Sequence, residues 1–486
     1  MSDTLLQVEN LSIHLQPTSH APQGRTLLEA CSFALNAGER LTMVGESGAG
    51  KSLLAQAIMG TLPAALQACG SIRINGVTTN GQRALTQALW GHGVMMLPQE
   101  PWSALNPLMR MQSQVAEAAR YARGLPWPQA RDTAISRLQT LGLGHAAQQW
   151  LHQISGGMAQ RVGVACASAA HAQLLIADEP TKGLDPGACQ QVAQLLMAAQ
   201  SSGQALLTIT HDLDLALQLG GQLAVLRQGR IVEQGPAQQV LHEPQHAYTR
   251  ELVAAQPRHW PAYPFADRSD APPLLQATGL RKRYGARTLF ERLHLTLGTG
   301  EVVAISGPSG CGKTTLGNVL LGVARADAGR VQRPSDVPRW KFQKLYQDPP
   351  AAFSPFRSLG QALDDVRQLH RLPDTGQSRW MQALGLDASL LTRLPHEVSG
   401  GELQRFALLR LMLLQPAFIF ADEPTSRLDP ITQRNTMGVL CETAAEQGCS
   451  VLLVSHDADL ARTSSQRHVT IPELSGQRKE FAKMRT

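Results

Sequence analysis

The strongest constraint on this chain is that it repeats itself. Gly45-Glu-Ser-Gly48-Ala-Gly50-Lys51-Ser52 returns as Gly307-Pro-Ser-Gly310-Cys-Gly312-Lys313-Thr314. Ser155-Gly156-Gly157 returns as Ser399-Gly400-Gly401, and Asp178-Glu179-Pro180-Thr181 as Asp422-Glu423-Pro424-Thr425. Thr210-His211-Asp212 returns as Ser455-His456-Asp457. From the serine to the glutamate is 24 residues in both halves; from the glutamate to the histidine it is 32, then 33. Unrelated motifs do not keep such spacing, so the chain contains a duplicated domain. The lysine-to-serine interval differs, 104 residues against 86, and the shortening falls around Gly329 to Trp340.

A length of 486 residues agrees with two domains. The expected boundaries are 1–257 and 274–486, joined by a proline-rich linker at 258–273. Nothing in the sequence is apolar for long enough to span a membrane. The start lacks a secretory pattern, which makes the cytosol the expected compartment. The seven cysteines form no CxxC pair, which argues against a disulfide framework or zinc module. A net charge of +6 is modest, and no basic run is interleaved with aromatics; no nucleic-acid partner is expected.

Short apolar segments precede each motif. Leu41–Val44 and Val302–Ser306 lead into the glycine loops, Leu174–Ala177 and Phe418–Ala421 into the acidic pairs, and Ala205–Ile209 and Val451–Val454 into the histidines. Alternation with helices predicts an α/β fold with a parallel sheet and ligands at the strand C-termini. GxxxxGK[ST] wraps backbone N–H groups around phosphates at a helix start. Lys51 and Lys313 then reach the β- and γ-phosphates, and Ser52 and Thr314 offer hydroxyls to Mg²⁺. Asp178 and Asp422 suit a water-bridged Mg²⁺. Glu179 and Glu423 are placed as general bases toward water. Serine followed by two glycines at a helix start is either a second phosphate grasp or a simple N-cap. His211 and His456 are read as γ-phosphate contacts. Gln99 and Gln347, which open similar proline-containing segments, are expected to reach the metal or the attacking water.

With these residues together, the chain resembles the ATP-binding cassette family over about residues 5–256 and 274–471. The resemblance implies two P-loop nucleotide-binding domains, each with a mainly parallel core sheet, an antiparallel β part and a helical subdomain. It implies head-to-tail pairing of the cassettes. Lys51, Asp178, Glu179 and His211 would share one ATP with Ser399; Lys313, Asp422, Glu423 and His456 would share the other with Ser155. Asp185 and Asp429 match the aspartate of the loop after the acidic pair. Tyr284 matches the aromatic that stacks on adenine, while the first half has His14 and Leu15 at that place. A narrower resemblance is to the ATPases of oligopeptide, dipeptide and nickel importers, carried by Gln99–Pro107 and His242–Leu252. It implies two integral-membrane permease subunits, a substrate-binding protein reached through them, and a peripheral place on the cytoplasmic face of the membrane.

Three departures from the family pattern stand out. Lys182 and Gly183 replace the usual small residues. No cysteine occurs between residues 190 and 310, so no iron–sulfur cluster is expected. The second half has only 30 residues after His456, so its C-terminal part is expected to be reduced. Rival readings are a soluble tandem cassette acting on ribosomes, a DNA-repair cassette ATPase, and a regulatory cassette without turnover. The first would be joined by a long charged helical linker, the second would carry zinc-binding cysteine clusters, and the third is opposed by intact Glu179 and Glu423.

Overall fold

A computed structural model describes residues 4–16, 25–200, 203–265, 272–285, 287–307, 310–373, 376–426 and 428–475. The chain divides into two compact units, Met1–Val253 and Ala254–Thr486. The division falls just before the expected linker. Pro257–His259 forms a short 3-10 turn, and Trp260 and Phe265 pack part-buried against the second unit's core. Tyr263 N–H donates to Thr463 O at 2.9 Å. The first part of the expected linker is thus a strap on the second unit. Residues 266–271 lie outside the described residues.

In the first unit a six-stranded sheet runs in the order Arg230–Pro236, Gln222–Arg227, Arg40–Gly45, Ala205–Ile209, Leu174–Asp178, Val94–Leu97. All neighbours are parallel except the outer pair Arg230–Pro236 and Gln222–Arg227. In the second, Phe342–Leu345, Phe418–Asp422, Ser450–Val454, Val302–Ser306 and Arg467–Thr470 form a five-stranded, wholly parallel sheet. Among the described residues it has no counterpart of Arg230–Pro236.

The inner strands Leu174–Asp178, Ala205–Ile209, Phe418–Asp422 and Ser450–Val454 are buried along their length and largely apolar because both faces are covered. Alternate side chains enter different cores. Leu174 and Ile176 join the core under the P-loop helix; Leu175 and Ala177 join the core of the helical part. Phe418 and Phe420 against Ile419 and Ala421 repeat the division in the second unit.

Each unit also has an antiparallel sheet. Thr4–Leu15 pairs with Arg25–Asn36 and Leu66–Ile74, and Pro273–Tyr284 with Arg287–Gly298 and Ala328–Gln332. The first unit then adds Val77–Thr78 and the helix Arg83–Gln87, whereas the second passes to Phe342 through a single turn at Arg339–Lys341. This is where most of the length difference sits. In the first helical part, Met111, Val115 and Ala119 share one face of Met111–Arg123, and Ala130, Ala134 and Leu138 one face of Trp127–Thr140. That i, i+4 spacing makes the stripe each helix buries. Among the described residues, no helix is long and apolar enough to cross a membrane.

One packing exchange separates the units. The fifth residue of the P-loop helix is Ala55 in the first unit and Gly317 in the second. Two residues before the strand-end aspartate, the sheet carries Ile176 and then Phe420. The larger Phe420 ring lies where a Cβ on Gly317 would come within 2.2 Å of it. Gly317→Ala is expected to cost about 1–3 kcal/mol through overpacking, and adding Phe420→Ile should recover most of it. Denaturant unfolding of the two variants checks this; a double variant no more stable than Gly317→Ala would exclude the ring as the cause.

Candidate active sites

The glycine loops follow the strands Arg40–Gly45 and Val302–Ser306 and open the helices Lys51–Met59 and Lys313–Leu321. A Cβ on Gly45 would lie 2.0 Å from Leu226 O, so only glycine lets the loop leave the strand there. Gly50 and Gly312 precede their helices at φ 96° and 106°. Each helix thus opens directly at its glycine loop, and the N–H groups of such a helix start make a ready anion cradle. Lys51 Nζ donates to Gly45 O and Glu46 O, both at 2.8 Å, and Lys313 Nζ to Gly307 O at 2.7 Å. Both ammonium groups thus lie folded across their own loops. Gly48 and Gly310 adopt φ 83° and 75° within them. Pro308 and Ser309 of the second loop lie outside the described residues.

The acidic pairs end the strands Leu174–Asp178 and Phe418–Asp422. Both glutamates have left-handed backbones, Glu179 at φ 50° and Glu423 at φ 51°. This region is uncommon for a residue with a Cβ. The neighbouring strand holds it: Glu179 N–H donates to Ile209 O at 2.8 Å and Glu423 N–H to Val454 O at 3.1 Å. The turn carries each carboxylate to its histidine. His211 Nδ1 lies 2.8 Å from Glu179 Oε1, and His456 Nε2 lies 2.8 Å from Glu423 Oε1. For Glu179 and His211 burial is the largest single influence and favours the neutral forms, but their mutual attraction outweighs it. Glu179 is held below the usual carboxylate range and His211 above the usual imidazole value.

Asp178 and Asp422 are buried. Burial pushes Asp178 up to about 6, against the opposing Ser52 hydrogen bond, and raises Asp422 against the Thr314 bond. Asp178 Oδ1 is buried without a hydrogen-bond partner. Such an orphan carboxylate oxygen beside a hydroxyl fits a hydrated Mg²⁺, which takes oxygen ligands and keeps several of its waters.

The other predicted residues divide. Gln347 Nε2 donates to Glu423 Oε2 at 2.8 Å, whereas Glu179 Oε2 accepts from Thr210 Oγ1 at 3.2 Å and Gln99 makes no corresponding bond among the described residues. Ser155 and Ser399 both cap helices, Gly156–Ala170 and Gly400–Leu413, accepting from Met158 N–H and Glu402 N–H. Ser399 is further engaged, its hydroxyl donating to Glu402 Oε2 at 2.8 Å. Gly156 and Gly400 are exposed, Gly157 is part-buried and Gly401 is buried. Asp185 and Asp429 also serve as caps, accepting from Ala188 N–H and Thr432 N–H. Tyr284 ends its strand 58% exposed, with the Lys282 ammonium 5.3 Å from the ring centre. Strand register sets Tyr284 opposite Arg287 and Leu15 opposite Arg25, so Leu15 holds the matching place.

Two neighbours of the acidic pairs carry little signal of their own in the sequence. Thr210 stands out there only as part of the histidine motif. Lys344, three residues before Gln347, lies 3.9 Å from Asp422; the available signal was a lysine where the first half has Met96. Lys182, a departure from the family pattern, pairs with Glu100 at 3.2 Å and so ties the glutamine loop to the loop after the acidic pair.

Asp178 makes a testable contribution to stability. Its folded value of about 6 lies above the ordinary 3.8, so the folded state holds its proton more tightly. Stability is therefore lost as pH rises from about 4 to about 6, on the order of 3 kcal/mol once the group is charged. Asp178→Asn should raise the melting temperature of the nucleotide-free protein in EDTA at pH 7.5 by several degrees. The gain should vanish near pH 4; thermal melts across pH check it, and a gain independent of pH would rule out the charge as its origin.

Comparison with known proteins gives these sites a family. The family model described as "ABC transporter" matches residues 28–182 and again 290–426. The chain is 34% identical to the peptidoglycan transport ATP-binding protein YejF of Agrobacterium fabrum, across 93% of this chain and 88% of that one. It is 31% identical to the glutathione import ATP-binding protein GsiA of Shigella dysenteriae, across 95% and 84%. Among solved structures, a protein titled RNase-L Inhibitor aligns with a TM-score of 0.64 over 95% of this chain and 87% of that one; at 19% identity this speaks for the fold alone. With two matched segments, each holding a P-loop and an acidic pair, the chain belongs to the ABC transporter family and carries two of its ATP-hydrolysing cassettes.

Proposed function

We propose that this chain is the energy-coupling ATPase of a membrane importer for peptide-class solutes. The observation that carries the reading is that two P-loops, each with an acidic pair and a histidine, occur in one polypeptide similar along nearly its whole length to fused transport ATPases. Those relatives are named for peptidoglycan transport and glutathione import. Two integral-membrane permease subunits would receive the work, with a substrate-binding protein delivering the solute to them. The chain would then sit on the cytoplasmic face of the membrane.

In each cassette the P-loop N–H groups and Lys51 or Lys313 bind the phosphates. Ser52 with Asp178, and Thr314 with Asp422, would hold Mg²⁺, with Gln99 and Gln347 reaching the same region. When bound, the ion neutralises charge developing on the transferred phosphoryl group. Glu179 and Glu423 orient a water and take its proton. His211 and His456, each already bonded to its glutamate, turn to the γ-phosphate. In the working state each nucleotide is shared between cassettes, Ser399 completing the site of Lys51 and Ser155 that of Lys313. Ser399 must first release Glu402. Tyr284 would stack on adenine in the second site, and with Leu15 at the matching place the first would bind nucleotide more weakly.

Glu423→Gln should retain ATP and lower turnover at its site by roughly 100-fold or more. Site-resolved hydrolysis in a Lys51→Ala background measures it, and near-normal turnover would remove Glu423 from its role. Affinity purification from detergent-solubilised membranes should recover two permease subunits. Recovery of ribosomes in their place would overturn the importer reading.

A further inference from the structure

The second acidic pair has a neighbour that the first lacks. Lys344 lies on Phe342–Leu345, the strand beside Phe418–Asp422, in register with Phe420. Its ammonium is 3.9 Å from Asp422 Oδ2 and donates to Asn318 Oδ1 at 3.1 Å. The Tyr346 and Phe420 ring centres lie 5.0 and 5.5 Å away. The Lys344 side chain is 15% exposed and that of Asp422 5%. A lysine so placed is held on both sides. The amide fixes its donor direction, the two rings favour a cation at that spot, and little water intervenes to screen it.

The repeat supplies an internal comparison. Three residues before Gln99 stands Met96, and Gln56 occupies the place of Asn318, five residues after the P-loop lysine. Asp178 feels Lys51 and Lys182, but Lys182 is already paired with Glu100 at 3.2 Å. Asp178 keeps a buried oxygen without a partner. Thus two sites with the same GxxxxGK[ST] pattern and acidic pair differ in that, among the described residues, only the second sets a strand lysine 3.9 Å from its metal-side aspartate.

We propose that Lys344 is a built-in counter-ion to Asp422 that sets the second cassette's Mg²⁺ requirement above the first's. The inference rests on Asp422 being the carboxylate that faces the metal. A fixed cation beside that carboxylate offsets part of its negative charge and repels a divalent ion. The second site then loads Mg²⁺ with nucleotide only at higher free Mg²⁺. Through Lys344 the two cassettes differ in metal demand while keeping the same catalytic groups.

The test reads nucleotide binding. In full-length protein with Lys51→Ala, a fluorescent ATP analogue reports the second site while Mg²⁺ is titrated. Lys344→Met, which installs the first cassette's residue, should lower the half-saturating Mg²⁺ by roughly threefold or more. Lys344→Arg keeps the charge and should leave it unchanged. In a Lys313→Ala background, Met96→Lys should raise the first site's requirement by a similar factor. An unchanged midpoint in Lys344→Met overturns the proposal, as does an arginine variant that shifts as far as the methionine one. Should Lys344→Met not fold, an unchanged midpoint in Met96→Lys overturns it. Mg²⁺-independent binding in the Lys51→Ala parent would instead overturn the underlying assignment of Asp422, leaving Lys344 nothing to tune.

Discussion

Everything at these sites depends on a backbone hydrogen bond. Glu179 N–H to Ile209 O, and Glu423 N–H to Val454 O, fix each glutamate in a left-handed turn at the end of a buried strand. Without the turn, an alternating strand would send the glutamate to the face opposite the preceding aspartate, on a path set by the sheet. With it, the aspartate stays beside the P-loop hydroxyl and the glutamate swings to the histidine. The parallel sheet matters because it brings the P-loop strand, the acidic strand and the histidine strand side by side with their C-terminal ends level. One edge of one sheet thereby gathers the glycine loop, the aspartate, the glutamate and the histidine.

The repeat made much of this legible in advance. Two copies of each motif allowed residues as ordinary as Ser155 and Gln99 to be singled out, because Ser399 and Gln347 stand at matching places. Apolar runs such as Leu174–Ala177 were readable as strands because burial on both faces leaves no polar alternation to confuse them. What stayed hidden were contacts between segments distant in sequence. Nothing in the order of residues says that Lys182 meets Glu100, or that Lys344 faces Asp422. The left-handed glutamates were also invisible, since that conformation comes from the neighbouring strand and not from the residue itself. The packing of Trp260 and Phe265 was masked by prolines that, read locally, indicate a free linker.

The two cassettes share their reactive groups but support them differently. Glu179 leans on Thr210, Glu423 on Gln347. Ser399 is held by its own helix's glutamate, while Ser155 has Met158 at that place. These differences concern the partners of the motif residues, not the motif residues themselves. Fusion in one chain keeps the unlike halves in fixed one-to-one supply and raises the effective concentration of one near the other.

The exchange of bulk between helix and strand has a consequence for the history of such a gene. Tandem copies invite recombination, which tends to make repeats alike again. Here an exchange limited to the P-loop helix would set the methyl of Ala55 against the Phe420 ring; the reverse exchange would leave a void above Ile176. Either product misfits a core, even though the lysines are the same and Ser52 and Thr314 both carry a hydroxyl. Compensated packing thus acts as a barrier between the copies, letting each keep its own surroundings while the P-loop and acidic-pair motifs stay the same.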